Sequence, residues 1–182
     1  MTITTHPQLT DLTAGTWSVE PAHSEVGFSV RHLGLSKVRG RFNSFAGSAE
    51  IADDPTASTL AATVDLASID TNNEDRDNHL RSTDFFAIEA HPTMSFEATE
   101  ITPDHLAGTI TIAGVSKPIA FDLEFHGVAV DMYETTRAGF SASGELRRSD
   151  FGIDFNAPLG VDGMLIGDKI SIELEIQLVP AS

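Results

Sequence analysis

AHSEVGFSVRHLGLSKVRGRFNSFA, residues 22–46, holds two runs of near-perfect alternation. Val26, Phe28, Val30 and His32 fall on one face of an extended segment. Val38, Gly40 and Phe42 fall on one face of the next. Leu33-Gly34-Leu35-Ser36 separates them and supplies a glycine for a turn. Apolar residues at a period of two on both sides of a short loop specify an antiparallel pair of half-buried strands. Arg31, Arg39 and Arg41 take the opposite parity, so the second face of the pair is solvated.

The same alternation recurs outward from this pair in both directions. A first strand is expected near Trp17, ahead of it. Phe45, Gly47, Ala49 and Ile51 continue the pattern one place out of phase with Phe42, which predicts a bulge near Asn43-Ser44. Leu60 to Leu66, Met94 to Ala98, Leu106 to Ile112, Ile119 to Phe125 and Ala138 to Leu146 add further strands. Ile170, Ile172, Leu174, Ile176 and Leu178 alternate with Ser171, Glu173, Glu175 and Gln177 in the cleanest run of all. One stretch breaks the rule, Ser68–Ala90. There Thr71-Asn72-Asn73-Glu74 has the form of a capping box and predicts a short helix to about Arg81. Ser82-Thr83-Asp84 offers a second cap ahead of Phe85 and Phe86.

About eight strands with one apolar face each, in a chain of 182 residues, fit one all-β domain. Long strands of this kind favour a closed barrel, because closure removes exposed edges. The fold class expected is all-β, an eight-stranded antiparallel β-barrel with a short helical insertion at about residues 71–90. Residues 1–14 are polar and without period and are expected to form a loose tail; residues 15–180 form the domain. The loop Gly152–Gly167 is long and rich in Gly and Pro. Eight strands enclose either a packed core or one small ligand.

Composition narrows the function. The net charge of −16 speaks against nucleic acid and against broad contact with an anionic membrane surface. Four of the eleven basic residues, Arg31, Lys37, Arg39 and Arg41, nevertheless cluster, and no acid lies between Ser29 and Ala49. There is no cysteine, so no disulfide or thiolate metal site is available. No apolar run is long enough to span a bilayer as a helix. MTITTHPQLTDLTAG lacks the basic and apolar regions of a secretory leader, so a cytoplasmic protein is the expectation. A homodimer is left open.

Enzyme signatures do not hold. Gly139-Phe140-Ser141-Ala142-Ser143-Gly144 imitates a nucleophile elbow, with the wrong spacing and on a strand. Asp70–Asp75 lacks the glycine and distal Glu of a calcium loop. His23, His32, His79, His91, His105 and His126 lie on different elements without a ligand spacing, so no metal is expected. His23 and Ser24 are neighbours on an extended chain, where adjacent side chains point apart.

Several segments together resemble the YceI-like polyisoprenoid-binding family. They are Trp17-x-x-Glu20-Pro21-x-His23-Ser24-x-Val26-x-Phe28 with Lys37-Val38-x-Gly40-x-Phe42, Ile69-Asp70-Thr71, and Asp75-Arg76-Asp77-x-His79-Leu80-Arg81-Ser82-x-Asp84-Phe85-Phe86 with Pro92 and Phe96. Gly114–Pro118 and Arg147–Gly152 complete the likeness, which runs from about Trp17 to Val179. The resemblance implies an extended, lipocalin-like barrel holding an isoprenoid lipid lengthwise, such as a polyprenyl diphosphate or isoprenoid quinone, for carriage or sequestration without catalysis. It implies no cofactor other than that bound lipid, which is also the expected partner. The tunnel would be lined by Phe28, Val30, Phe42, Phe45, Leu80, Phe85, Phe86, Phe96, Ile110, Ile112, Phe121, Leu123, Phe140, Ile172 and Leu174. A diphosphate headgroup would meet loop-end cations, of which Lys37, Arg81 and Lys117 are the first candidates and Arg147 and Arg148 the next. The alternatives are a barrel for fatty acids or amides and an enzyme that modifies an isoprenoid lipid.

Overall fold

Eleven strands join into eight ribbons, and the eight close on themselves. The computed structural model describes residues 7–155 and 166–181, so most of the loop expected over Gly152–Gly167 lies outside the described residues. The first ribbon is β1 (Gly15–Val19) and β2 (Glu25–His32), broken by a 3-10 turn at Pro21–His23. The second is β3 (Ser36–Phe42) and β4 (Phe45–Ile51), broken at Asn43-Ser44, where the phase shift in the sequence lies. The third is β5 (Thr59–Asp65) and the two-residue β6 (Ile69–Asp70). Single strands make the rest: β7 (Thr93–Thr102), β8 (His105–Ile112), β9 (Val115–Val130), β10 (Thr136–Arg147) and β11 (Ile166–Pro180).

Every ribbon pairs antiparallel with the next. Closure comes from β11, which presents one edge to both halves of the first ribbon. Trp17 to Val19 pair with Pro180 to Leu178, and Glu25 to Val30 with Glu175 to Ile170. The result is a closed, up-and-down, eight-stranded antiparallel barrel, as the alternation required.

The insertion fills the one gap in this wall. The third ribbon stops at Asp70 and the fourth begins at Thr93, so β3 beyond Arg41 has no strand partner on that side. Helix α1 (Glu74–Leu80) and the turns after it occupy the space, packing Leu80, Phe86 and Ile88 against Phe42, Val64, Leu66 and Ile69. The helix begins two residues later than the capping box predicts. Asn73 is the cap, its side chain accepting the Arg76 amide at 2.9 Å. Thr71 is engaged elsewhere, since its amide and its hydroxyl both donate to the buried Asp77 carboxylate.

The two ends of the barrel differ. The upper end carries the β2–β3 turn, the insertion, the Ala113-Gly114 turn and the Arg148–Phe155 segment. The base carries the turns at 52–58, 103–104 and 131–135 and the N-terminal segment. Of the loose tail expected over residues 1–14, residues 1–6 lie outside the described residues, and the part from Pro7 onward packs against the barrel. Leu9–Asp11 form a 3-10 turn, and Leu9 and Leu12 are 6% and 7% exposed. They pack with Trp17, Phe125, Ala138 and Leu178 and plug the base, while the Trp17 indole donates to the Thr13 carbonyl at 2.9 Å. Two apolar residues three apart in a polar stretch are too weak a period to be read as structure. Because Leu12 is core, Leu12→Ala should destabilise the barrel by about 2–4 kcal/mol in a urea titration, the usual loss for a buried leucine. An unchanged midpoint would restore the loose tail.

Candidate functional site

The barrel interior is not filled by its own side chains. A cavity of about 660 Å³ runs from Leu9 and Leu12 at the base to Arg148 and Phe155 at the upper end. Its size falls within the range of about 300–1,000 Å³ typical of small-molecule sites. Its wall is almost wholly apolar. The burial pattern carries the same message: the inward residues Phe28, Val30, Leu123, Phe140, Ile172 and Leu174 are only partly buried, since they face open space rather than one another.

Close contacts between rings and glycines keep that space open. A Cβ on Gly40 would lie 2.3 Å from the Phe28 ring, which sits directly across the β2–β3 ladder. A Cβ on Gly144 would lie 2.8 Å from the ring of Phe121, its partner across β9–β10. Each ring therefore lies against the wall, in the space a side chain on the neighbouring strand would take. Large aromatic residues line the lumen this way without crossing it.

All fifteen residues expected to line a tunnel border this cavity: Phe28, Val30, Phe42, Phe45, Leu80, Phe85, Phe86, Phe96, Ile110, Ile112, Phe121, Leu123, Phe140, Ile172 and Leu174. Strand parity brings most of them together. Leu80, Phe85 and Phe86 arrive from the insertion, which lies over the upper end. The sequence reading missed Met94, Ala142 and Ile176, which shared the periodic runs it had found, and Phe155 and Ile166, which carry no periodic signal.

The headgroup candidates are placed otherwise. None of Lys37, Arg81 and Lys117 borders the cavity. Lys37 is exposed and pairs across the ladder with Arg31 on the outer face. Arg81 is committed to the fold, donating to the carbonyls of Ala67 and Ile69 and to the Asn78 side chain. Lys117 has the inward parity of Ile119 and Phe121 but stands exposed beyond them. The basic groups that do border the upper part are Arg31, Arg76 and Arg148, together with His32 and His79. Arg148 is buried and stitches the upper end, its guanidinium donating to the carbonyls of Gly167, Ile153, Phe155 and Ile166. Burial pushes its pKa down against the attraction of Asp168 and Asp154, yet a guanidinium stays charged. Arg147 points away to Asp168, 3.7 Å distant.

His23, Ser24, His126 and Ser141 all lie outside the cavity. The His23 imidazole reaches Glu20 at 2.7 Å, and the Ser24 hydroxyl donates to the Glu20 carbonyl at 2.6 Å. On the barrel exterior Ser141 Oγ donates to Glu175 at 2.7 Å and lies 2.6 Å from His126 Nε2. Its proton therefore points to the carboxylate, and imidazole N–H donates to the hydroxyl, the reverse of what a general base needs. Among the described residues no three His, Cys, Asp or Glu side chains converge as a metal site.

Glu20 explains the Glu-Pro-x-His-Ser motif structurally. Its carboxylate accepts the amides of Ala22 and His23 at 3.2 and 2.9 Å and caps the turn that breaks the first ribbon. Partial burial pushes this carboxyl up, but the hydrogen bonds from His23 and Ala22 outweigh it and hold it below the usual glutamate value. A carboxyl depressed in the folded state stabilises the fold above its unfolded pKa, and that contribution fades as pH falls through the folded value. Thermal melts from pH 7 down to about 3 should therefore fall less steeply for Glu20→Gln than for the parent, from a lower starting point at pH 7. Parallel curves would remove Glu20 from the acid response.

A closed antiparallel barrel enclosing one long apolar cavity defines a class of small-molecule-binding protein. The YceI-like domain model matches residues 17–178, and the chain belongs to that family. A UPF0312 protein of Staphylococcus epidermidis is 38% identical over 159 residues, covering 86% of this chain and 93% of its own. The crystal structure of the Campylobacter jejuni YceI protein superposes with a TM-score of 0.69 at 32% identity, covering 84% of this chain and 90% of that one. A domain from Saccharophagus degradans, described as polyisoprenoid binding and implicated in plant cell wall breakdown, shares the fold. Its TM-score is 0.70 at 13% identity, over 91% of this chain and 98% of that one. No helix among the described residues is long and apolar enough to cross a membrane.

Proposed function

We propose that this barrel binds one long isoprenoid lipid, a polyprenyl diphosphate or an isoprenoid quinone, and carries or sequesters it without altering it. The observation that supports this reading is the apolar cavity of about 660 Å³ running the length of the barrel. Family membership and the description of the Saccharophagus degradans domain point the same way. The tail occupies the lumen along the fifteen residues named above, with Phe28 and Phe121 flattened on Gly40 and Gly144. The head lies at the upper end near Arg76, His79 and His32, rather than at Lys37, Arg81 or Lys117.

The energetics suit such a ligand. A tail that buried ~500 Å² of apolar surface would gain about 12 kcal/mol before ordering costs. An apolar cavity of this size offers water few partners, so a chain entering it displaces little bound solvent. Affinity therefore resides in the tail, and the head adjusts specificity.

The test is mass spectrometry of organic extracts from purified protein, beside Leu174→Trp. Leu174 borders the cavity near the middle of β11 and is only partly buried, so the larger side chain extends into the lumen. The variant should melt within a few degrees of the parent and lose its lipid. Overpacking a filled core instead costs about 1–3 kcal/mol, so a strongly destabilised variant that keeps its lipid would defeat the reading. Extracts containing fatty acids or amides and no isoprenoid would move the ligand to that class. Conversion of an added isoprenoid would make the protein an enzyme.

A further inference from the structure

We infer that the β2–β3 hairpin tip is a membrane-docking element, which sets the upper end of the barrel against an anionic lipid bilayer. The proposal rests on the lipid-binding reading only for its purpose, since it supplies the route by which a lipid enters the cavity. The evidence for it is separate and lies on the outer surface.

Leu35 is 81% exposed and Leu33 37%, side by side at the tip. The turn is unfavourable for its own sequence. Leu35 N–H bonds to the His32 carbonyl at 3.0 Å, with Leu33 at φ 56° and Gly34 at φ 68°. Two left-handed residues in succession make a hairpin turn that Asn-Gly fills without strain, and a bulky leucine at the first place is costly. Stability alone would not place leucine there.

The charge around the tip is the second observation. Arg31 and Lys37 face each other across the ladder just below it, and Arg39 and Arg41 follow on the same face. Of these four, only Arg41 has an acidic partner among the described residues, Asp70 at 3.8 Å. The distribution extends to the whole molecule. Every Lys and Arg except Arg137 lies on the upper segment of its ribbon, in the insertion or beside the upper turns. Acids lie at both ends, with Asp70, Glu74, Asp75, Asp77, Asp84, Glu89, Asp150, Asp154 and Asp168 among the upper cations and Asp11, Glu50, Asp53, Asp54, Asp104, Asp131 and Glu134 at the base. The β2–β3 hairpin is set apart because it carries its cations with no acid of its own from Ser29 to Ala49. A negative surface thus repels the base and attracts the tip, which orients the molecule before contact.

A second apolar tip provides the contrast. Val130, Met132 and Tyr133, at the β9–β10 turn, are 64%, 86% and 80% exposed. Asp131 and Glu134 flank them, so an anionic bilayer repels that end. Exposed apolar residues alone do not distinguish the two tips; the neighbouring charge does.

The experiment uses delipidated full-length protein and vesicles free of isoprenoid, sedimented together at low salt. Phosphatidylcholine vesicles should bring down little protein. Vesicles containing phosphatidylglycerol should bring down much more, and about 0.5 M NaCl should release it. Lys37→Glu should weaken partitioning about tenfold or more, and Leu33→Asn with Leu35→Ser should weaken it comparably. Asn suits the left-handed position, so that double variant should melt no lower than the parent. Met132→Ser with Tyr133→Ser should bind as the parent does. Equal binding to neutral vesicles, no binding to anionic ones, or binding that survives the hairpin variants would overturn the proposal. So would self-association through Leu35 in place of vesicle binding. Isoprenoid affinity, measured on the same variants without vesicles, separates the two readings: a hairpin variant that keeps its lipid leaves the cavity intact, whatever happens to docking.

Discussion

Closure of the barrel depends on one strand edge being shared. β11 must pair with β1 near its end and with β2 over the rest of its length, although a 3-10 turn separates β1 from β2. Without compensation, that turn would leave a gap in the ladder and unsatisfied backbone groups within it. Glu20 and Ser24 bridge the gap. Glu20 N–H donates to the Gln177 carbonyl at 2.9 Å, and the Gln177 amide donates to Ser24 Oγ at 3.0 Å. A side-chain hydroxyl thus takes the place of a backbone carbonyl, and the edge stays continuous while the ribbon bends. Arg137 reaches in from β10 to Glu20 at 3.4 Å and to Asp131 at 2.8 Å, tying the kink to the base turn. The hydrogen bond to Arg137 leads the causes that hold Asp131 below the usual aspartate range.

Once the wall is closed, the use of aromatic residues decides whether the inside is a core or a container. Eight strands enclose a space that ordinary side chains can fill, and eleven Phe in the chain would suffice to fill it if their rings met across the lumen. They do not. Phe28 and Phe121 spread over Gly40 and Gly144, and Phe125 and Phe140 stack at a centroid distance of 4.9 Å near the base. Glycine weakens a strand by its flexibility, so these positions cost stability unless the ring above them restores contact. The ring does restore it, and the lumen stays clear of side chains as a consequence of the same pairing.

Much of this was legible from alternation alone. A period of two assigns each strand residue to a face with no knowledge of its neighbours, which is why Phe28, Ile110, Phe121 and Leu174 were placed inward from sequence. What was not legible depends on contacts between distant segments. Leu9 and Leu12 look like stray apolar residues until Phe125 and Leu178 are beside them. Arg81 and Arg148 look like free cations until the carbonyls of Ala67, Ile69, Ile153 and Phe155 are seen to claim them. Asn73 displaced Thr71 as the helix cap because Asp77, one turn into the helix, draws the Thr71 hydroxyl inward. His23 and Ser24 suggested a catalytic pair by type, whereas both turn back to Glu20. A basic side chain seen in sequence alone reveals its charge but not whether the backbone has already engaged it.

The acidity of the chain takes on a different meaning once the residues are placed. A net charge of −16 argues against an anionic surface only if the charge is evenly spread, because it is the local potential that acts within a Debye length of about 8–10 Å. Here four cations gather on one acid-free hairpin at the upper end, and the acids of the base lie too far away to be felt by a surface that the hairpin approaches. An acidic base also keeps the molecules apart in solution, which matters for a protein that exposes Leu35 and Met132. Mutual repulsion and directed attraction therefore arise from one polar arrangement of charge. The arrangement requires no single strong contact, only that one hairpin at the upper end is free of acids while the turns of the base are rich in them.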